Sequence, residues 1–142
     1  MFDGLENRIS QAVFAIPAVK GIEFGDGFKL SELKGSEARD EYVASDGKIA
    51  LTSNHNGGIL GGISTGEAVN FRVCIKPTPS ISIPSKSVSY SRGENLELKI
   101  SGRHDPCIAL RAVPCVEAAA AIAVLDLMLG DINFSGRFVF ND

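Results

Sequence analysis

The chain has 142 residues, with 44% apolar residues and 14 basic against 17 acidic side chains, for a net charge of −3. That length and apolar share suit one domain with a real core. The dispersed, slightly acidic charge excludes a general electrostatic grip on nucleic acid or an anionic membrane, while leaving room for a local cationic pocket.

From the N-terminus, Leu5, Ile9, Ala12, Val13 and Ile16 recur at helical spacing, with Asp3 and Glu6 as a candidate cap and Pro17 as terminator. The opening MFDGLENRIS has neither the basic nor the apolar region of a signal peptide. Residues 19–24 are predicted as a short strand closed by the Gly25-Asp26-Gly27 turn. Residues 31–47 are charged and irregular and read as a solvated loop, and 48–53 as another short strand. The glycine-rich stretch NHNGGILGGISTGE follows. Val69, Phe71, Val73 and Ile75 then alternate with Asn70, Arg72 and Cys74, the pattern of a strand buried on one face. The prolines of KPTPS stop that ladder, and Leu96, Leu98 and Ile100 mark a further strand.

The last predicted element is a helix over 114–129, with Pro114 in its first turn. Between Val116 and Leu129 only Glu117 and Asp126 are charged, so the helix is expected to lie covered between layers. No run approaches the roughly 18 consecutive apolar residues of a membrane span. Residues 131–142 show no interpretable pattern. The order of elements predicts a single α+β layered domain over residues 1–142, with antiparallel sheet and helices inside or against it. Cys74, Cys107 and Cys115, odd in number, fit neither a disulfide framework nor a zinc motif. They are expected as buried or spectator thiols of a cytoplasmic protein.

Three polar clusters sit at the ends of these elements. Glycines 57, 58, 61, 62 and 66 allow positive φ and close approach of a ligand to backbone amides, or make a plain connection; the stretch has neither the P-loop lysine nor a dinucleotide fingerprint. Lys76 to Ser80 offers a cation and two hydroxyls on a stiffened backbone, suited to a phosphate or carbonyl oxygen or simply to a rigid turn. Arg103-His104-Asp105 pairs a guanidinium that can grip phosphate with an acid and an imidazole. An Arg103–Asp105 ion pair that orders the loop is the alternative. His55, His104 and the cysteines do not have metal-site spacing, and no nucleophile motif is present.

Five segments in this order, FDGLENRIS, AIPAVKGIEFGDGF, NHNGGILGGISTG, FRVCIKPTPSI and GRHDPCIALRAVPCVEAAAA, closely resemble the C-terminal portion of chorismate synthase, from Phe2 to about Leu129. The resemblance implies a β-α-β sandwich with an enclosed apolar helix, and a homotetramer. It implies conversion of 5-enolpyruvylshikimate 3-phosphate to chorismate by 1,4-anti elimination, with reduced FMN as cofactor and no partner among nucleic acids or membranes. Carried over by position, Pro17, Ala18, Gly61, Lys76, Pro77, Thr78, Pro79, Ser80 and Arg103 contact FMN, and Asp105 handles a proton near the flavin. His104 accompanies Asp105 without being the catalytic acid. Leu110 stands where the family commonly has proline. The family's N-terminal half, with two functional histidines and substrate-site arginines, has no counterpart here. The expectation is a fragment that is inactive or nearly so alone, a non-catalytic FMN- or phosphate-binding module, the complementing half of a split enzyme, or an unfolded remnant.

Overall fold

A computed structural model of the chain describes residues 2–45 and 47–130. Helix α1, Leu5–Phe14, buries Ile9 and Val13 completely, as residues four apart on one helix face should. Its start differs from the predicted cap. Gly4 occupies the N-cap without a side-chain bond, and the Leu5 amide donates to the Gly62 carbonyl at 2.8 Å. That bond satisfies one of the amides every helix leaves without an internal partner. Asp3 instead faces Arg8, Oδ1 to Nη1 3.8 Å.

Strand β1, Val19–Phe24, has the predicted bounds and pairs antiparallel with β6, Phe71–Ile75. Ile22 stands opposite Val73 and Phe24 opposite Phe71, whose rings lie 5.6 Å apart. A bulge between Val19 and Gly21 shifts the register, which lets Val19 join Ile22 and Phe24 in the same core. The stretch read as a solvated loop contains more order than its charge suggests. A 3₁₀ turn spans Gly27–Glu32, and β2, Tyr42–Ser45, pairs with β3, Lys48–Leu51. Tyr42, Val43 and Ile49 are exposed, so no burial imposes a readable alternation there. The glycine stretch holds a small hairpin of β4, Ile59–Leu60, and β5, Ile63–Ser64. Strand β7, Ser85–Ser89, pairs with β8, Glu94–Leu98.

Helix α2, Ala109–Gly130, begins five residues before its predicted start and takes Pro114 into its interior. It packs on α1, with Ala123 buried beside Ile9 and Val13, and with Val116, Ala119 and Val124 against the same cluster. Arg8 and Asp126 tie the two helices by an ion pair. Phe71 and Val73 close the cluster from β6. By length and composition α2 could cross a membrane, at a mean hydropathy of 2.0, but its seat on α1 makes it a core helix. The expected enclosure is one-sided here. Ile122 is 67% and Leu129 64% exposed, and no described residue covers that face. The three cysteines are free and all exposed, so of the two expected roles, buried or spectator, burial is ruled out. The result is an α+β protein of helices and antiparallel strands, as predicted. Residues 131–142, where the sequence shows no interpretable pattern, lie outside the described residues.

Candidate functional site

The bulged end of the β1–β6 pair presents the first group of sequence-predicted residues. Ala18 has φ +70°, the only positive value outside glycine among the described residues. An L side chain in the left-handed region costs about 1–2 kcal/mol, and the surroundings must hold it there. One restraint is visible: the Lys76 amide donates to the Ala18 carbonyl at 2.8 Å. That bond extends the ladder one step past the strands and brings Pro17-Ala18 beside the start of Lys76 to Ser80. Thr78, held between two prolines, has a buried Oγ1 with no partner among the described residues. The Lys76 side chain is exposed.

Gly61 stands elsewhere. Its neighbour Gly62 is tied to the start of α1, whereas Ala18 follows the end of α1. A ten-residue helix, about 15 Å long at 1.5 Å per residue, separates them. Gly61 has φ +61°, and space around its missing side chain is open.

The loop before α2 forms the second group. Arg103, His104, Asp105, Pro106 and Arg111 line a cleft of about 500 Å³. Arg111, in the first turns of α2, donates from Nη1 to Asp105 Oδ2 at 2.7 Å. The predicted alternative, an Arg103–Asp105 pair, is therefore replaced by an Arg111–Asp105 pair, because the loop turns Asp105 toward the helix. Arg103 makes no ion pair among the described residues. His104 is half-buried, and its Nε2 is buried without a partner among the described residues. No hydrogen bond or ion pair among the described residues joins this cleft to the Ala18–Lys76 group.

A third polar centre went unnoticed in the sequence. Asp40 accepts from the Ser53 hydroxyl at 2.6 Å, the His55 amide at 2.8 Å, and both the amide and side chain of Asn56 at 3.0 and 2.8 Å. Burial pushes its carboxyl up, but those four donors outweigh it and hold the pKa at about 2. Beside it, His55 Nδ1 lies 2.6 Å from Asp26 Oδ2, and the His55 carbonyl accepts from the Asp26 amide at 2.8 Å. These contacts seat the glycine stretch on the far end of the β1–β6 pair. Gly25 and Gly57 meet there, and a methyl group on Gly25 would stand 2.0 Å from the His55 carbonyl oxygen. The sequence signal for Asp40 was hidden in a run of charges, Glu37-Ala38-Arg39-Asp40-Glu41, that reads as solvated surface.

The described residues thus form an α+β protein with two separate polar groups, one at Ala18 and Lys76 to Ser80 and one at Arg103 to Asp105, each with a buried polar atom that has no partner among them. Comparison with known proteins gives the family. The family model described as chorismate synthase matches residues 1–129, and the chain belongs to the chorismate synthase family. The chorismate synthase of Lancefieldella parvula is 53% identical over 127 residues, covering 89% of this chain and 33% of the relative. That of Archaeoglobus fulgidus is 50% identical over 129 residues, covering 91% of this chain and 36% of the relative. A crystal structure of chorismate synthase superposes with a TM-score of 0.67 at 31% identity, covering 88% of this chain and 30% of the other. The chain thus spans about a third of the length of the curated relatives it matches.

Proposed function

We propose that the chain supplies a flavin- and phosphate-facing wall of a chorismate synthase, a carbon–oxygen lyase that removes phosphate and a ring proton from 5-enolpyruvylshikimate 3-phosphate. The observation that carries this reading is a pair of orphaned atoms. Thr78 Oγ1 and His104 Nε2, the buried side-chain polar atoms without partners among the described residues, fall in the two segments that the family resemblance sets against the flavin. Leaving such a group unpaired costs about 1–3 kcal/mol, which a polar ligand at the site offsets.

In this reading the residues at 17–18, 61, 76–80 and 103 hold reduced FMN. When bound, the flavin supplies transient electron density to the elimination. Lys76 and Arg103 place positive charge where an anion gathers, and Asp105 handles the proton beside the ring. In this reading the completed enzyme acts as a cytoplasmic homotetramer in aromatic amino-acid biosynthesis.

The one-sided cover of α2 favours a refinement: this chain is a complementing part, inactive or nearly so until the rest of the family's fold is supplied. A non-catalytic FMN-binding module is the alternative. Titration with FMN separates these from a chain with no ligand. Wild type should bind and Arg103→Ala should bind at least tenfold more weakly, the loss expected of a desolvated charge-assisted contact; equal affinities remove Arg103 from the site. Anaerobic chorismate formation with reduced FMN should be absent for the chain alone, and rapid turnover by it would refute the complementing role.

A further inference from the structure

Arg111 belongs to neither the flavin contacts nor the proton-handling role, yet it is the partner of Asp105. We propose that Arg111 is the positioning residue for Asp105, holding one carboxylate oxygen so that the other faces the cleft as a free acceptor. The inference rests on the flavin reading above and adds to it a residue that this reading leaves out.

Three observations carry it. Asp105 lies in a loop without regular structure between Gly102 and Ile108, so its backbone alone does not fix its side chain. Arg111 lies on α2, where its own amide and that of Ala112 donate to the Ile108 carbonyl, both at 3.1 Å, anchoring the end of the loop to the helix. The 2.7 Å contact runs from Nη1 to Oδ2, and Oδ1 has no partner among the described residues. One oxygen is thereby tied to a rigid element, and the other is left unengaged in a cleft of about 500 Å³ shared with Arg103 and His104.

Charge gives the pair a second consequence. With Arg111 present, the cleft carries Arg103, a cation with no ion-pair partner among the described residues, beside an Asp105–Arg111 couple. Without Arg111, the carboxylate sets itself against Arg103, and the cleft loses its attraction for an anionic ligand such as the flavin phosphate or the substrate phosphate. Arg111 is 80% exposed and Asp105 30%. An exposed pair of this kind contributes little to folding, so its removal should leave the fold intact and be felt in the site.

The test is a double-mutant cycle read by FMN titration of the full chain, with wild type, Arg111→Gln, Asp105→Asn and the double variant. Arg111→Gln should weaken FMN binding by about fivefold, equivalent to about 1 kcal/mol. In the Asp105→Asn background the same change should alter affinity by less than about twofold, because the charge Arg111 answers is gone. Arg111→Lys should restore most of the affinity. An equal loss in both backgrounds, or no loss with Asp105 intact, overturns the proposal.

A second measurement needs no flavin. The Arg111 guanidinium, followed by ¹⁵N relaxation, should be restrained in wild type and freely mobile in Asp105→Asn. Equal mobility in both means the pair does not form in solution and overturns the proposal directly. A restrained Arg111 in a wild-type chain that binds no FMN overturns the flavin reading instead, and the positioning role falls with it.

Discussion

At the scale of single residues, the two carboxylates that matter most have opposite surroundings. Asp105 has one guanidinium and a free oxygen, whereas Asp40 has four donors and no freedom. Asp40 therefore reads as a structural anchor for the Asn54–Gly58 segment, and its chemistry makes that testable. Its folded pKa of about 2 lies below the ordinary value of 3.8. A depressed carboxyl contributes stability that is complete above the unfolded pKa and is lost as pH falls through the folded one. The window is thus pH 4 down to pH 2, and the contribution is about 1–2 kcal/mol once solvent screening is allowed for. Urea midpoints of the wild type should fall across that window. Asp40→Asn should start lower at pH 6 and show a shallower fall, and parallel curves for the two would dismiss the anchor. The candidate flavin residues were legible because each lies within a long contiguous motif. Asp40, its donors, and the Arg111–Asp105 pair were not, since both depend on how a loop folds back, and nothing in the spacing of the letters fixes that.

At the scale of elements, the predicted strands β1, β3, β6 and β8 are all present, although β3 and β8 are largely exposed. β1 and β6 emerged from alternation and prolines because one face of each meets the core. β2 and β7 did not: β2 is four residues following a charged stretch, and the serines and lysine of β7 show no apolar alternation. The start of α2 moved for a different reason. Proline was placed in the first turn, where its missing N–H is harmless, but the helix begins at Ala109 and carries Pro114 inside. Pro114 cannot donate to the Leu110 carbonyl, and its ring crowds that turn. Pro114→Ala should therefore raise the chain's stability by about 1–3 kcal/mol, read as an upward shift in the urea midpoint. An unchanged or lower midpoint would mean that the segment before residue 114 is not helical in solution.

At the scale of the whole molecule, the core is thin for a chain of this length. Ile9, Val13, Val19 and Ala123 form its buried centre, and much of the apolar surface of α2 lies outside it. The open face includes Ile122 and Leu129, together with Leu125 at 47% exposure. Apolar surface of that extent drives association. Sedimentation should show the chain self-associating as concentration rises, and Ile122→Lys should suppress this while leaving the helical signal unchanged. Persistent association of Ile122→Lys would locate the sticky surface elsewhere. The enclosed helix expected from sequence was half right for a clear reason: an all-apolar pattern says that a helix needs cover, and it does not say which stretch of polypeptide provides it.

The bond between the Leu5 amide and the Gly62 carbonyl reaches beyond static structure. A ten-residue helix without a cap is marginal in water, and this one receives its first partner from a glycine far down the chain. During synthesis, residue 62 must leave the ribosome before residue 5 can be paired. Helix α1 is thus an early segment completed late: the bond at its first amide and the packing of Ile9 and Val13 on α2 are both non-local contacts of the kind that slow folding. The glycine turn that contains Gly61 is in that sense a fastener as well as a wall: the turn that shapes a candidate ligand contact also ties down the start of the first helix.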